Sequence, residues 1–420
     1  MRLSLFGHRF TQPSGILRLM EDLGQALAVN KGMLMLGGGN PAHIPEVESV
    51  LKSRMQNLLD APGALGRVIG DYSPPQGDPA FIEAVADLLR REYGWNIGPR
   101  NVALTGGSQC AFFMLFNMFA GAAEDGRNKK ILLPMGPEYI GYSNLGLGPD
   151  FFAARLPSME LIDKHTFKYH VALDSIEWAD EIGAICVSRP TNPTGNVLTD
   201  REMQALIKLA RAHDIPLIVD SAYGAPFPNI LFSEVQPLWD ESVILTLSLS
   251  KFGLPGTRTG IVIAREEVID AIARINAIIN LAPTNVGSAL MLDLFRSGEV
   301  LRLGREVIKP YYESKAREAV AQLTDELDAY PFLLHKPEGA IFLWLWFKDL
   351  PITSEILYQR LKDRGVLVVP GHYFFPGMGT EAQQGRECLR ITYAQAQEVV
   401  EQGLAIVADE VRKAYAERRA

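Results

Sequence analysis

Cysteine is scarce in this chain: Cys110, Cys186 and Cys388 are the 3 present in 420 residues, and none lies in a CxxC or other ligand-like spacing. That argues against a disulfide scaffold and a zinc site, and it fits reduced thiols buried as small hydrophobes. Long apolar runs are missing too. No stretch approaches the roughly 18 residues of a spanning helix, and the first ten residues hold no apolar core of signal-peptide length. The expected location is therefore the cytoplasm, with no membrane partner. Positive charge is not in excess, since 41 Lys and Arg against 49 Asp and Glu leave −8; this balance argues against a nucleic-acid surface. Of only 7 histidines, the one in a tempting setting is His372 within Pro370-Gly371-His372-Tyr373, and it reads as turn chemistry. No metal site is expected.

Against these absences, apolar residues make up 47% of the chain, enough to fill the core of one large unit and a smaller one. Through the middle, apolar strands alternate with amphipathic helices. Lys130 to Leu133, Ala184 to Ser188, Pro216 to Asp220, Val243 to Leu247 and Gly260 to Ala264 read as strands. Thr199-Asp200-Arg201-Glu202 is a capping box opening a helix whose apolar face holds Met203, Leu206, Ile207 and Ala210. This rhythm predicts an α/β fold with a mostly parallel central sheet covered by helices, in which ligands bind beyond the carboxyl ends of the strands. From Leu301 to Asp328 a charged helical pattern leads into a smaller α/β unit. Its expected strands are Phe332 to His335, Ala340 to Trp346 and Val366 to Val369, and its closing helix runs from Gln397 to Glu417. The expected division is an arm over residues 1–45, a large unit over 46–305 and a small unit over 306–420, the arm packing with the small one.

Lys251 ends the run Ser248-Leu249-Ser250-Lys251 at the mouth of an apolar strand. That is a poor place for a solvated charge and a good one for an amine kept partly neutral by desolvation, able to form a Schiff base. Ser248, Ser250 and Arg258 surround it in sequence with donors suited to a phosphate dianion. An aldehyde carrying a phosphate is pyridoxal 5′-phosphate. Its other needs have candidates as well. Ser108 and Gln109, at the start of an apolar helix after Gly106-Gly107, offer an anion site, although Ser108 reads equally as an N-cap. Asp220 ends a buried strand and would pair with the pyridine nitrogen. Tyr223 and Asn192 are donors for the phenolic oxygen, with Asn192 in a turn-forming Asn-Pro-Thr-Gly, and Tyr139 is an aromatic face for the ring. Arg390, alone in the apolar run Cys388 to Tyr393, suits the carboxylate of an amino acid.

Asn192-Pro193-Thr194-Gly195, Asp220 with Tyr223, Ser248-Leu249-Ser250-Lys251 with Arg258, and Arg390 together resemble the signature of the fold-type I pyridoxal-phosphate-dependent aminotransferases. The resemblance spans essentially the whole chain. It implies that Lys251 is the Schiff-base lysine and proton shuttle, and that Ser108, Gln109, Ser248 and Arg258 hold the phosphate. It also implies that the Gly38 backbone closes over a carboxylate on Arg390. A homodimer with shared sites follows from it, Tyr72 of Asp71-Tyr72-Ser73-Pro74 reaching the partner's phosphate. The expected reaction moves an amino group between a small neutral L-amino acid, such as alanine or valine, and a 2-oxo acid. The neutral preference rests on finding no second arginine for an acidic side chain, unless Arg9 or Arg18 of the arm provides one. Lyases on the same scaffold are the rival class. A ligand-sensing regulator is a poorer fit, because residues 1–40 do not read as a DNA-binding unit. Gly37-Gly38-Gly39 lacks the GxGxxG spacing of a dinucleotide loop.

Overall fold

A computed structural model describes residues 2–29, 32–176, 178–379 and 383–417. Its main sheet runs, edge to edge, Val102–Thr105, Gly260–Ile263, Val243–Ser248, Leu217–Asp220, Ile182–Ser188, Asn128–Leu133 and Gly121–Ala122, with Phe152–Ala154 also paired to the Asn128 strand. The four strands from Val243–Ser248 to Asn128–Leu133 are parallel. Gly260–Ile263 runs against both of its neighbours. These strands are Val-, Ile- and Leu-rich and almost wholly buried, as a sheet covered on both faces requires. The expected helix after the capping box spans Asp200–Ala212, with Thr199 and Glu202 exchanging both cap bonds.

A second sheet has the order Val369–Pro370, Cys388–Thr392, Phe342–Phe347, Phe332–His335, Thr166–His170 and Ser158–Leu161. Here the structure differs from the expected division at residue 305. The hairpin 158–170 comes from within the segment assigned to the large unit, yet Thr166–His170 pairs in parallel with Phe332–His335. Its sequence alternates polar and apolar residues, which signals a half-buried strand but not the sheet it will join. The expected strand Val366 to Val369 is also split. Val366–Leu367 pairs in parallel with Leu34–Met35 of the arm, while Val369–Pro370 joins the second sheet. The arm further contributes the helix Gly15–Val29. That helix is tied to the helix Ser354–Asp363 by Arg18–Glu355 at 2.7 Å, Lys362–Asp22 at 2.8 Å and a Tyr358 hydroxyl bond to Asp22.

Candidate active site

Register brings the chemistry together at the carboxyl ends of the main sheet. Asp220 lies beside Ser188 on one neighbouring strand and Thr246 on the other, while Ser248 and Thr105 flank Gly260. The chain beyond these ends, together with the arm, encloses a cavity of about 190 Å³. Lys251, Asp220, Asn192, Tyr223, Tyr139 and Arg390 line one part of it, and Ser108, Gln109, Ser248 and Arg258 another. Tyr72, expected to serve a partner's site rather than this one, is 83% exposed and outside the lining. Gly38 is buried and also outside the lining, whereas Gly39 lines the cavity and the Gly37 carbonyl takes a 2.7 Å bond from Arg390 Nη2.

Lys251 follows the strand Val243–Ser248 in a short 3-10 turn, and its ammonium donates to the Gly39 carbonyl. Burial, reinforced by the charges of Arg390 and Arg258 and opposed by Asp220, lowers its pKa to about 8. Nζ stands 5.1 Å from the centre of the Tyr223 ring. Asp220 accepts from Ala222 N–H at 2.9 Å and from the Tyr142 hydroxyl at 2.7 Å, while burial pushes its carboxyl up. Arg390 is 2% exposed. Its guanidinium lies 4.1 Å from the Phe342 ring centre, Nη1 donates to Asn192 Oδ1 at 2.9 Å, and the buried Nε has no partner. Desolvation lowers its pKa to about 10, with no acidic side chain at hand. Glu387, its one acidic neighbour in sequence, instead accepts from Trp346 Nε1 at 2.8 Å.

At the other end, Gly107 rather than Ser108 is the N-cap of the helix Ser108–Phe119. The position has φ +87°, which favours glycine, and a Cβ there would displace the Arg258 guanidinium, whose Nη2 would lie 2.2 Å from it. No side chain caps this helix, so its first N–H groups lack a side-chain partner, and Arg258 Nη2 donates to the Gly106 carbonyl just before it at 3.4 Å. Arg258 itself adopts φ +49°, a conformation a residue with a side chain holds only when its surroundings demand it. Gln109 Nε2 donates to the Gly141 carbonyl at 3.0 Å, which ties its side chain to the turn after Tyr139.

Sequence reasoning missed Ser188, which lines the cavity beside Asp220; Tyr142 and Glu138, which bond to Ser188; and Ile16, Leu19 and Met20, which line the cavity from the helix Gly15–Val29. Tyr142 and Glu138 flank Tyr139, so a carboxylate in the apolar stretch Pro134 to Tyr142 was a legible signal. The three arm residues were not legible, because an amphipathic helix does not say what its apolar face covers.

A half-buried lysine and carboxylate, an uncapped helix start and a buried arginine at the strand ends are the groups an enzyme would use to handle amino-acid carboxylates through an amine. The chain belongs to the family Aminotransferase class I and II, whose sequence model matches residues 31–406. It is 50% identical over 417 residues to the valine–pyruvate aminotransferase of Escherichia coli K12, covering 99% of this chain and 100% of that one. Two solved structures are similar. The putative amino-acid aminotransferase of Psychrobacter arcticum has a TM-score of 0.96 at 46% identity, covering 99% of each chain. The valine-pyruvate aminotransferase of Salmonella typhimurium has 0.88 at 49%, covering 96% of this chain and 100% of that one. Among the described residues, no helix is long and apolar enough to cross a membrane.

Proposed function

We propose that this chain is a cytoplasmic, pyridoxal 5′-phosphate-dependent aminotransferase for small neutral amino acids, converting L-valine and pyruvate to 3-methyl-2-oxobutanoate and L-alanine. The observation that carries the reading is the charge distribution of the cavity. The half-buried Lys251 and Asp220 share its lining and feel each other's charge, Arg258 lies beside the helix start, and Arg390 is left for a carboxylate. Opposite them the wall is Ile16, Leu19 and Met20. The two arm arginines considered above are committed elsewhere, Arg9 Nε to the Gly146 carbonyl at 2.6 Å and Arg18 to Glu355 and Tyr373. An acidic substrate side chain would thus meet aliphatic groups and lose its hydration without a cation to replace it. Valine and alanine gain by burial.

The residues present fit the cofactor. The uncapped helix start at Ser108 and Gln109, the Ser248 hydroxyl and Arg258 form a dianion site, and the Gly107 cradle keeps that space open. The Asp220 carboxylate suits a protonated ring nitrogen. Because Asn192 Oδ1 is taken by Arg390, its amide N–H groups and the Tyr223 hydroxyl are donors for the phenolic oxygen. When bound, pyridoxal phosphate supplies an aldehyde for an amine and a ring that accepts electron density from the substrate α-carbon. The chain's part is positional. Arg390 holds the carboxylate plane so that the α-hydrogen faces Lys251 Nζ, and an amine with a pKa near 8 takes up and returns that proton at neutral pH. A homodimer is supported by the exposed Ile69, Tyr72, Ile278 and Leu281, in segments joined through Asn285 and the Asp71 carbonyl.

The test has two arms. Borohydride reduction of the purified protein should attach the cofactor to Lys251 by mass spectrometry, and Lys251→Ala should lose at least about a thousandfold in turnover, the scale of a lost proton-transfer group. A donor panel with pyruvate should rank valine and alanine well above aspartate and glutamate. Attachment to another lysine, or equal rates with the acidic pair, would contradict the corresponding half of the proposal.

A further inference from the structure

Next to Asp220, outside the cavity lining, the structure contains a second carboxyl group for which the reaction above has no use. Glu138 is fully buried. Its Oε2 lies 2.7 Å from Ser188 Oγ, and its Oε1 accepts from the Ser188 N–H at 3.3 Å. Ser188 Oγ lies 3.3 Å from the Tyr142 hydroxyl, which is 2.7 Å from Asp220 Oδ2. The four side chains thus form an unbroken row between two carboxyl groups. The titratable groups facing Glu138 are Asp220 and Cys186 from the sheet and Tyr142 from the turn after it, and none is a cation.

Counting protons along the row decides which form works. If Glu138 is ionised, the Ser188 proton points to it and the Tyr142 proton points to Asp220, so two lone pairs face each other between Ser188 and Tyr142. If Glu138 is protonated, every contact holds one proton and all of them point toward Asp220, each bond polarising the next. Two carboxyl groups in one dry network do not readily ionise together. Asp220 has the Ala222 N–H, the Tyr142 hydroxyl and the charge of Lys251 to hold a negative charge. Glu138 has the Ser188 and Tyr139 backbone N–H groups but no cation facing it, and burial, with the charge of Asp220 adding to it, outweighs those bonds and pushes its carboxyl up to about 8.

We propose that Glu138 is a positioning residue: by keeping its own proton it aligns Ser188 and Tyr142 on Asp220, so that Asp220 stays ionised as the partner of a protonated ring nitrogen. This rests on the reading of Asp220 given above. Infrared difference spectra of the full-length protein test it without turnover, so failure here is distinct from failure of the aminotransferase reading, which wild-type activity reports. At neutral pH the wild type should show the C=O stretch of a protonated, water-shielded carboxyl group that Glu138→Gln lacks. The band should fade as pH rises through about 8. In kinetics, Glu138→Leu should lower kcat about tenfold with little change in KM, the usual size for a group that orients a functional residue from behind. Glu138→Gln, neutral and able to donate to Ser188, should restore most of that loss and flatten the alkaline limb of the kcat profile. Lys251 titrates in the same range, and comparison with the glutamine variant separates the two. Identical infrared spectra for wild type and Glu138→Gln, or an unaltered alkaline limb, would overturn the proposal. If the leucine variant does not fold, these two measurements on the glutamine variant decide alone.

Discussion

Arg390 is fixed on three sides by the Phe342 ring beneath it, the Asn192 amide and the Gly37 carbonyl, and its Nε remains open. A lysine in its place keeps the charge and loses the plane. Arg390→Lys should therefore lower kcat/KM about a hundredfold for every amino acid, about 2.7 kcal/mol of transition-state binding, with cofactor retention little changed. Steady-state kinetics with alanine and valine check this, and unchanged values would mean that the carboxylate is held elsewhere. The identity of this arginine was legible because a lone cation in Cys388 to Tyr393 demands a partner. Its pairing with Asn192, nearly two hundred residues away in sequence, was not, since nothing local links the two.

At the scale of elements, the helix Gly15–Val29 has two faces with separate tasks. Arg18 and Asp22 hold it to the helix Ser354–Asp363, while Ile16, Leu19 and Met20 face the cavity. Leu19→Ala should remove apolar contact with a branched side chain at a cost of about 1–3 kcal/mol, lowering kcat/KM for valine about tenfold or more and narrowing its advantage over bulkier donors. Relative rates for valine, leucine and phenylalanine measure this, and an unchanged ranking would remove the helix from specificity. Strong periodicity made other elements legible: the closing helix is Gln397–Glu417, as its pattern predicts. The segment from Leu301 to Asp328, read as continuous helix, instead contains a π-helical stretch at Leu303–Ile308 before the helix Lys309–Leu327. A shift of the hydrogen bond by one residue, from i→i+4 to i→i+5 over a single short stretch, leaves the flanking apolar pattern in place, and so it leaves little trace in sequence.

For the whole molecule, the seam between the hairpin 158–170 and the second sheet sets the response to acid. His335 is fully buried there, accepting from the Tyr169 N–H at Nε2 (3.1 Å) and lying 2.8 Å from the Lys336 carbonyl through Nδ1. That pattern admits only the neutral ring, and desolvation, with nearby Lys168, lowers its pKa from 6.5 to about 3. Between those values the unfolded chain binds a proton that the folded one does not, so stability falls as pH drops through 6.5 toward 3. Each pH unit costs about 1.4 kcal/mol, or about 2 kcal/mol by pH 5. Melting curves from pH 7 to 5 should show a steeper decline for the wild type than for His335→Gln, whatever the absolute stability of the variant. Parallel curves would remove His335 from the acid response. Nearby, the buried pair Lys168–Glu338 joins this seam to the loop carrying Asn192, through the Val197 carbonyl at 3.0 Å and the Asn196 amide at 3.1 Å.

The sequence by itself determined which polar residues stand at the strand ends. A buried apolar strand that stops at Asp220 or Ser248 places its last polar side chain at the rim of the sheet, whatever the rest of the fold does. It also determined the alternation of strand and helix, because burial on both faces leaves a continuous apolar run. Only the tertiary structure decided that the Ser158–Leu161 and Thr166–His170 hairpin belongs to the second sheet, that Gly39 and not Gly38 faces Lys251, and that an aliphatic helix face rather than Arg9 or Arg18 closes the cavity. Each of these depends on which distant segment comes to lie alongside. Periodicity and spacing specify the face an element buries, and packing across the chain specifies against what.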